Sequence, residues 1–161
     1  GMYIEVIHRW LGSTKSVSAQ TQTIFPTRPD EMGQSTVVKI PDQLFFNTML
    51  ESGLAVQYTF SGVVMQGKDF IDLHGTEGKL HYDVFDDVLY QGTSDDDLKP
   101  VEIHPEDAYD VKDWRVEQDF VDAIRNHAEY HPNFEDGLRY MQVVQAIYDS
   151  AATGRTLQLS C

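Results

Sequence analysis

Between residues 16 and 103, short runs of strand-forming residues follow one another with only turns between them. The clearest pair is Gln43 to Leu50 and Leu54 to Phe60, joined by the turn Glu51-Ser52-Gly53. Polar and apolar side chains alternate along the second run, which is typical of a β-hairpin. Further strands are predicted at Ser16 to Phe25, Thr36 to Ile40, Asp69 to His74, Lys79 to Tyr82, Val84 to Tyr90 and Leu98 to Ile103. Parallel strands need long crossover connections, so this spacing predicts a largely antiparallel sheet. The turn-rich, polar segment from Pro26 to Gly33 is predicted to be a loop.

Helical periodicity is found near the two ends of the chain. Residues 3–11 carry apolar side chains at helical spacing, and Gly12 follows them as a C-terminal cap. Asp113 is a candidate N-cap for a second helix. Asn133, with Asp136 three residues later, predicts the start of a third helix, which Gly154 ends. The predicted apolar stripes are Val116, Phe120, Val121 and Ile124 on the second helix, and Leu138, Met141, Val144, Ile147 and Ala151 on the third. Arg155 to Leu159 is predicted to be a short final strand.

The order of these elements predicts an α+β fold, with an open, largely antiparallel β-sheet and helices packed on one face. A chain of 161 residues suits a single domain. Large apolar residues occupy both alternating positions of the strands, at Phe45, Phe46, Leu50, Tyr58, Phe60 and Phe70. Successive side chains point to opposite faces, so these residues cannot all lie under the helices. We expect the open sheet face to form a homo-oligomer contact; the alternative is a curled sheet that buries its own inner face.

An excess of acidic residues limits the partners that the chain can bind. Lys and Arg number 12 against 26 Asp and Glu, for a formal charge of -14. Nucleic acid and anionic membranes are bound by clustered basic side chains, so neither is an expected partner.

No apolar run approaches the roughly 20 residues that span a bilayer. The single cysteine, Cys161, cannot form an internal disulfide, and no secretion leader is recognised, so a cytoplasmic location is predicted.

Three segments in fixed order carry a family resemblance. Ile71 to Leu80 turns at Gly75-Thr76-Glu77-Gly78; Asp119 to Asn126 has the helical pattern F-x-D-A-I-R, followed by His127 where Gly is common; and Asn133 to Arg139 runs on to Ala146 to Arg155. These segments are similar to the C-terminal domain of the glucose-fructose oxidoreductase, inositol dehydrogenase and MocA (Gfo/Idh/MocA) family. The resemblance covers essentially the whole chain and implies a dihydrodipicolinate-reductase-like C-terminal fold.

The resemblance also implies a function. Complete family members use NAD or NADP, bound by an N-terminal Rossmann domain, to oxidise or reduce sugar or polyol-like alcohols, with a Lys, an Asp and a His at the catalytic site. If Glu5 occupies the acidic position that follows the family's His by three, that His would fall at position 2, where this sequence has Met2. No Gly-x-Gly-x-x-Gly run occurs in the chain, so it is expected to lack the dinucleotide-binding turn.

Residues 2–161 are therefore expected to form one C-terminal substrate-side and oligomerisation domain, with no catalytic residue and no cofactor site, and with the Rossmann domain absent or encoded separately. Gly1 before Met2 is interpreted as a cloning remnant. The alternative is a stand-alone, non-catalytic binding or dimerisation module derived from the same family.

Three residues are candidates for facing a substrate. His8 and Arg9 lie near the family's active-site entrance, although a solvated polar helix face is the simpler expectation for both. Arg28, in a predicted loop, offers a planar donor fork to an anionic or hydroxylated ligand, although a surface ion pair with Asp30 or Glu31 is the simpler expectation. No metal site is predicted, because the spacing of His81, Asp83, Asp86 and Asp87 matches no metal-binding motif.

Overall fold

A computed structural model describes residues 1–102, 116–127 and 130–159 of the chain. The elements follow in the order α1 Met2–Leu11, β1 Thr14–Gln22, β2 Thr27–Pro29, β3 Ser35–Val37, β4 Gln43–Leu50, β5 Ala55–Ser61, β6 Phe70–His74, β7 Gly78–Asp83, β8 Val88–Thr93, β9 Lys99–Pro100, α2 Val116–Asn126, α3 Phe134–Thr153 and β10 Leu157–Gln158. All described strand pairs are antiparallel, so the predicted α+β class is confirmed. No helix in the described part of the chain is long and apolar enough to cross a membrane.

The strands are divided among three sheets, which the sequence did not predict. Their orders are β10-β1-β4-β5, β2-β3 and β6-β7-β8-β9. The chain divides into two compact units, Gly1–Val63 with Ala123–Cys161, and Val64–Asp122. The first sheet belongs to the first unit and the third sheet to the second.

The core of the first unit lies between the inner face of its four-stranded sheet and two helices. Strand alternation places the side chains of Val17, Ala19, Phe46, Leu50 and Tyr58 on this inner face, and all are buried. The Phe46 and Tyr58 rings stack with their centroids 4.3 Å apart. Helix α3 packs on β1 and α1 packs on α3.

One serine joins α3 to the sheet. Ser150 is buried, and its Oγ accepts the backbone N–H of Ala19 at 2.9 Å while donating to the carbonyl oxygen of Arg155 at 2.7 Å. Both ends of α3 are fixed as the sequence predicts. Asn133 and Asp136 form a reciprocal capping box at the start, and Gly154 closes the helix in the left-handed conformation at φ 66°.

The turn between β6 and β7, in the second unit, shows why the motif from Gly75 to Gly78 ends in glycine. The Gly75 N–H donates to the Gly78 carbonyl at 2.8 Å, closing the turn between β6 and β7. A Cβ on Gly78 would collide with the carbonyl oxygen of Gly92 on β8. The glycine is therefore required by the close approach of two strands.

Several predicted boundaries are wrong, for local reasons. The predicted loop from Pro26 to Gly33 contains β2, which pairs with β3. The first strand ends at Gln22 because the Asp42 carboxylate accepts the N–H groups of Ile24 and Phe25. The strand predicted from Val84 begins at Val88, after a turn held by the Asp83 carboxylate. Three predicted features lie outside the described residues: the candidate N-cap Asp113, the strand end at Ile103, and Cys161.

The predicted apolar stripes of the last two helices are only partly buried. None of the residues of α2 is buried. On α3 the buried residues are Val143, Ala146, Ile147 and Ser150, whereas the predicted core positions Leu138 and Met141 are exposed. Of the apolar stripe that the sequence predicted for α3, Ile147 is the one residue that is buried.

Replacing Ser150 should test the link between α3 and β1. Ser150→Ala leaves the buried N–H of Ala19 without a partner, which we expect to cost about 1–3 kcal/mol of unfolding free energy. Urea unfolding followed by circular dichroism measures this difference. Ser18→Ala, at an exposed position on the same strand, is the matched control and should change stability by less than about 0.5 kcal/mol. Equal stabilities for the two variants would contradict the assigned role.

Candidate functional site

A shallow polar cleft opens in the first unit between the C-terminal half of α1 and the start of α3. Its volume is about 140 Å³, and it is lined by Glu5, His8, Arg9, Ser13, His131, Asp136 and Arg139. The cleft contains two of the three residues that the sequence singled out, His8 and Arg9.

His8 forms the inner end of the cleft and is held in one orientation. Its Nε2 accepts the backbone N–H of Thr14 at 3.2 Å and lies 2.8 Å from the Thr14 hydroxyl. Because Nε2 is the acceptor, the neutral ring carries its hydrogen on Nδ1. Burial lowers the pKa of His8, Glu5 opposes that shift and Arg139 adds to it. His8 is therefore a neutral side chain near pH 7.

Arg9 lies at the edge of the cleft in an ion pair. Its Nη2 and Nε contact the same Glu5 oxygen at 2.6 and 3.1 Å, one helical turn away. An exposed pair of this kind adds little stability. Its structural consequence is that the guanidinium is held at the edge of the cleft.

The opposite wall is built by the capping box of α3. Asp136 Oδ2 accepts the Asn133 N–H at 2.9 Å and lies 2.6 Å from His131 Nδ1. The Asn133 N–H, followed by His131, holds the pKa of Asp136 below its ordinary value. Arg139 follows on the next turn, 3.8 Å from its ion-pair partner Glu135.

The sequence did not single out His131, Asp136 or Arg139 as site residues. The capping pattern from Asn133 to Asp136 could be read locally. Its position beside α1 depends on the packing of two helices that are far apart in the sequence.

Arg28 is not part of this cleft. It lies on β2, where its Nη2 contacts Asp42 at 3.3 Å and its guanidinium lies 5.8 Å from the centre of the Phe25 ring. The predicted partner Asp30 instead accepts the N–H groups of Met32 and Gln34. Arg28 is thus engaged in an ion pair, but with a different carboxylate from the one expected.

The residues tested for a metal site are engaged with other protein groups. His81 Nδ1 lies 2.6 Å from Asp72, and Asp83 and Asp86 both contact Lys68. Among residues 1–102, 116–127 and 130–159, no three acidic, histidine or cysteine side chains cluster as metal ligands would.

The start of α3 does not fit the pyrophosphate of a dinucleotide. A pyrophosphate binds where free N–H groups open the first turn of a helix behind a glycine-rich loop. At α3 the N–H groups of Glu135 and Asp136 are donated to Asn133, and both residues are acidic. The described strand pairs are antiparallel, unlike the parallel units that carry such a loop. The cleft instead offers several hydrogen-bonding side chains of both charges, which suits a neutral, hydroxyl-rich ligand.

Comparison with known proteins gives one family and many similar folds. Residues 3–159 match the model of an oxidoreductase family, for its C-terminal alpha/beta domain. Among curated proteins no relative matches.

Solved structures with this fold include a levoglucosan dehydrogenase in complex with NADH and L-sorbose (20% identity, TM-score 0.82, 98% of this chain and 48% of that one). An NAD binding oxidoreductase from Klebsiella pneumoniae is 24% identical (TM-score 0.81, covering 98% and 48%). A super-repressor mutant of Gal80p from Saccharomyces cerevisiae is 20% identical (TM-score 0.75, covering 97% and 47%). The chain thus spans about half the length of these proteins, and such identities show a shared fold.

The lowered pKa of His8 predicts a pH dependence of stability. Between the folded and the unfolded pKa, the unfolded chain binds more protons than the folded one, so stability rises with pH. The contribution of His8 should be complete above about pH 6.5, the ordinary histidine value, and be lost as the pH falls below it. Urea midpoints measured from about pH 7.5 to about pH 5.5 check this. The stability of the His8→Gln variant should change less steeply with pH, because the other histidines are common to both proteins. Equal slopes for the two proteins would contradict a lowered pKa of His8.

Proposed function

The chain belongs to the Gfo/Idh/MocA oxidoreductase family, and we propose that it is the substrate-side and oligomerisation domain of an NAD(P)-dependent oxidoreductase that acts on sugars or polyol-like alcohols. The observation that carries this proposal is the family match over residues 3–159. The chain covers 48% of each of these two solved structures. This coverage fits a role as one part of a larger enzyme.

The proposed substrate class is supported by the cleft and by one group of neighbours. Levoglucosan dehydrogenase has been solved in complex with L-sorbose and with levoglucosan. The mixture of His, Arg, Glu and Ser side chains in the cleft offers donors and acceptors without a strong net charge. We propose that His8 and Arg9 contribute to the substrate side of the enzyme through this cleft, and that Arg28 contributes separately from its hairpin.

Catalysis is assigned to another part of the enzyme. NAD or NADP is implied for a complete member by the neighbours, which include an NADH complex and an NAD binding oxidoreductase, and the start of α3 does not fit the pyrophosphate of either nucleotide. We propose that a Rossmann domain, joined or separately encoded, supplies nucleotide binding and that this chain alone is inactive. A cytoplasmic location is also proposed, because a single cysteine suits a reducing compartment.

A second function remains open because of one neighbour. Gal80p, solved as a super-repressor mutant, has the same fold. The chain would then be a stand-alone, non-catalytic binding or dimerisation module. The gene sequence upstream of Met2 distinguishes these two hypotheses. An open reading frame there that encodes a Gly-x-Gly-x-x-Gly turn would support the hypothesis that the chain is part of an oxidoreductase.

Nucleotide binding can be tested directly on the isolated chain. We expect titration calorimetry with NAD+ and with NADP+ to give no binding heat at nucleotide concentrations up to about 1 mM, because the sequence has no Gly-x-Gly-x-x-Gly turn to cradle a pyrophosphate. A dissociation constant near 1 μM, equivalent to about −8 kcal/mol, would show a nucleotide site in this chain and would overturn the proposed division of labour.

Oligomerisation is proposed through the outer face of the first sheet. Phe45 and Met49 lie on this face with 38% and 40% of their surfaces exposed. Met49→Lys should place an uncompensated charge in the contact and shift the mass measured by light scattering towards the 18.3 kDa monomer.

The matched control for that experiment is Met32→Lys. Met32 is 83% exposed in the turn of the β2–β3 hairpin, so this change adds the same charge away from the proposed contact and should leave the mass unchanged. A wild-type chain that is monomeric at high protein concentration would refute the proposed contact.

A further inference from the structure

The charge of the chain is divided very unequally between its two compact units. Residues 64–122, the second unit, contain 17 Asp and Glu against five Lys and Arg, for a formal charge of -12. The rest of the chain contains nine acidic and seven basic residues, for a formal charge of -2. Like charges that are held close together repel one another, and this repulsion opposes the compact state. The second unit therefore carries an electrostatic strain that the first unit lacks.

The lysines that the structure describes in the second unit are already paired with carboxylates. Lys68 contacts both Asp83 and Asp86, at 3.6 and 3.1 Å. Lys79 and Lys99 each contact one carboxylate, at 2.9 and 3.3 Å. Because acidic residues outnumber basic ones 17 to five in this unit, and the first unit has no surplus of cations, most of the negative charge is left for dissolved cations to balance.

The second unit also has little buried apolar surface to set against the repulsion. None of its residues in the ranges 64–102 and 116–122 is buried, whereas the buried residues of the described chain, from Ile4 to Ser150, all lie in the first unit. Even within β6 and β7, Phe70 and Leu80 are 59% and 36% exposed. Regions with few buried apolar contacts are the ones that open most readily in a folded protein.

Salt sets the distance over which the carboxylates act on one another. A compact unit of 59 residues has a radius of gyration of about 10 Å. The screening length is about 30 Å at 0.01 M salt and about 3 Å at 1 M. At low salt every carboxylate in the unit thus repels all the others, whereas at high salt each one acts on its nearest neighbours alone.

We infer that the second unit is a salt-dependent conformational element, which opens at low ionic strength while the first unit stays folded. Dissolved cations screen the carboxylates of residues 64–122 and allow β6, β7 and β8 to keep their hydrogen bonds. When the ionic strength falls, the repulsion separates these strands, and the core between α3 and the first sheet is unaffected. The element belongs to this chain alone and needs neither a nucleotide nor a substrate.

Hydrogen exchange measured by mass spectrometry reports the opening of each unit in one sample. In the 161-residue chain, we expect the amides of β6, β7 and β8 to exchange about tenfold more slowly in about 1 M KCl than in about 0.02 M KCl. The amides of β1, β4 and α3 should change less than about twofold, because their unit has little net charge. Exchange rates of the urea-unfolded chain in the same salt correct for the effect of KCl on the exchange chemistry.

Two double variants connect the salt response to charge. Asp95 and Asp97 are exposed in the turn between β8 and β9. Asp95→Asn combined with Asp97→Asn should slow exchange in β6, β7 and β8 about threefold in about 0.02 M KCl and have little effect in about 1 M KCl. The matched control, Glu31→Gln combined with Glu51→Gln, removes two negative charges from exposed turns of the first unit and should leave exchange in these strands unchanged.

Three results would overturn the inference. Exchange in β6, β7 and β8 that does not depend on KCl would show that the repulsion does not control their opening. Equal salt responses in the two units would show a general effect of salt on the whole chain. Protection of these strands by about 1 mM MgCl2 at a constant low ionic strength would show a specific divalent-cation site in place of screening.

Discussion

The packing of α3 against β1 is the contact on which the rest of the first unit depends. Ser150 is buried at this contact and bonds both to the strand, at Ala19, and to the chain that leaves the helix, at Arg155. The same helix supports α1 and begins with the capping box that forms one wall of the cleft. A single element thus connects the core and the candidate site.

The polar residues that line the cleft also stabilise the fold. Asp136 caps α3, and the same carboxylate contacts His131 in the cleft. His8 faces the cleft while its Nε2 accepts the first N–H of β1, at Thr14. These polar groups are held by backbone partners, so their orientation does not depend on a ligand. Fixed donors and acceptors of this kind are what the proposed hydroxyl-rich substrate would require.

The two units carry different shares of the proposed role. The first unit contains the cleft and the outer face of the four-stranded sheet, which serve substrate binding and assembly in our proposals. The second unit is a small antiparallel sheet whose tight turn depends on Gly78 and on the nearby Gly92 carbonyl. Asp72 on β6 contacts Lys79 and His81 on β7, and such cross-strand pairs support the observed register.

The sequence by itself determined the elements whose signals are local. Asn133 and Asp136 announced the start of α3, Gly154 its end, and the turn at Glu51-Ser52-Gly53 the hairpin of β4 and β5, because caps and turns depend on a few adjacent residues. The order of three motifs also identified the family. Tertiary structure alone decided which face of α3 is inside, that Arg28 pairs with Asp42, and that His131 and Arg139 join His8 and Arg9 in one cleft. Arg28 and Asp42 are 14 residues apart, and the two walls of the cleft are more than 100 residues apart, so neither contact can be predicted from adjacent residues. Which of two apolar faces of a helix is buried depends on which face finds a partner, and periodicity carries no information about this.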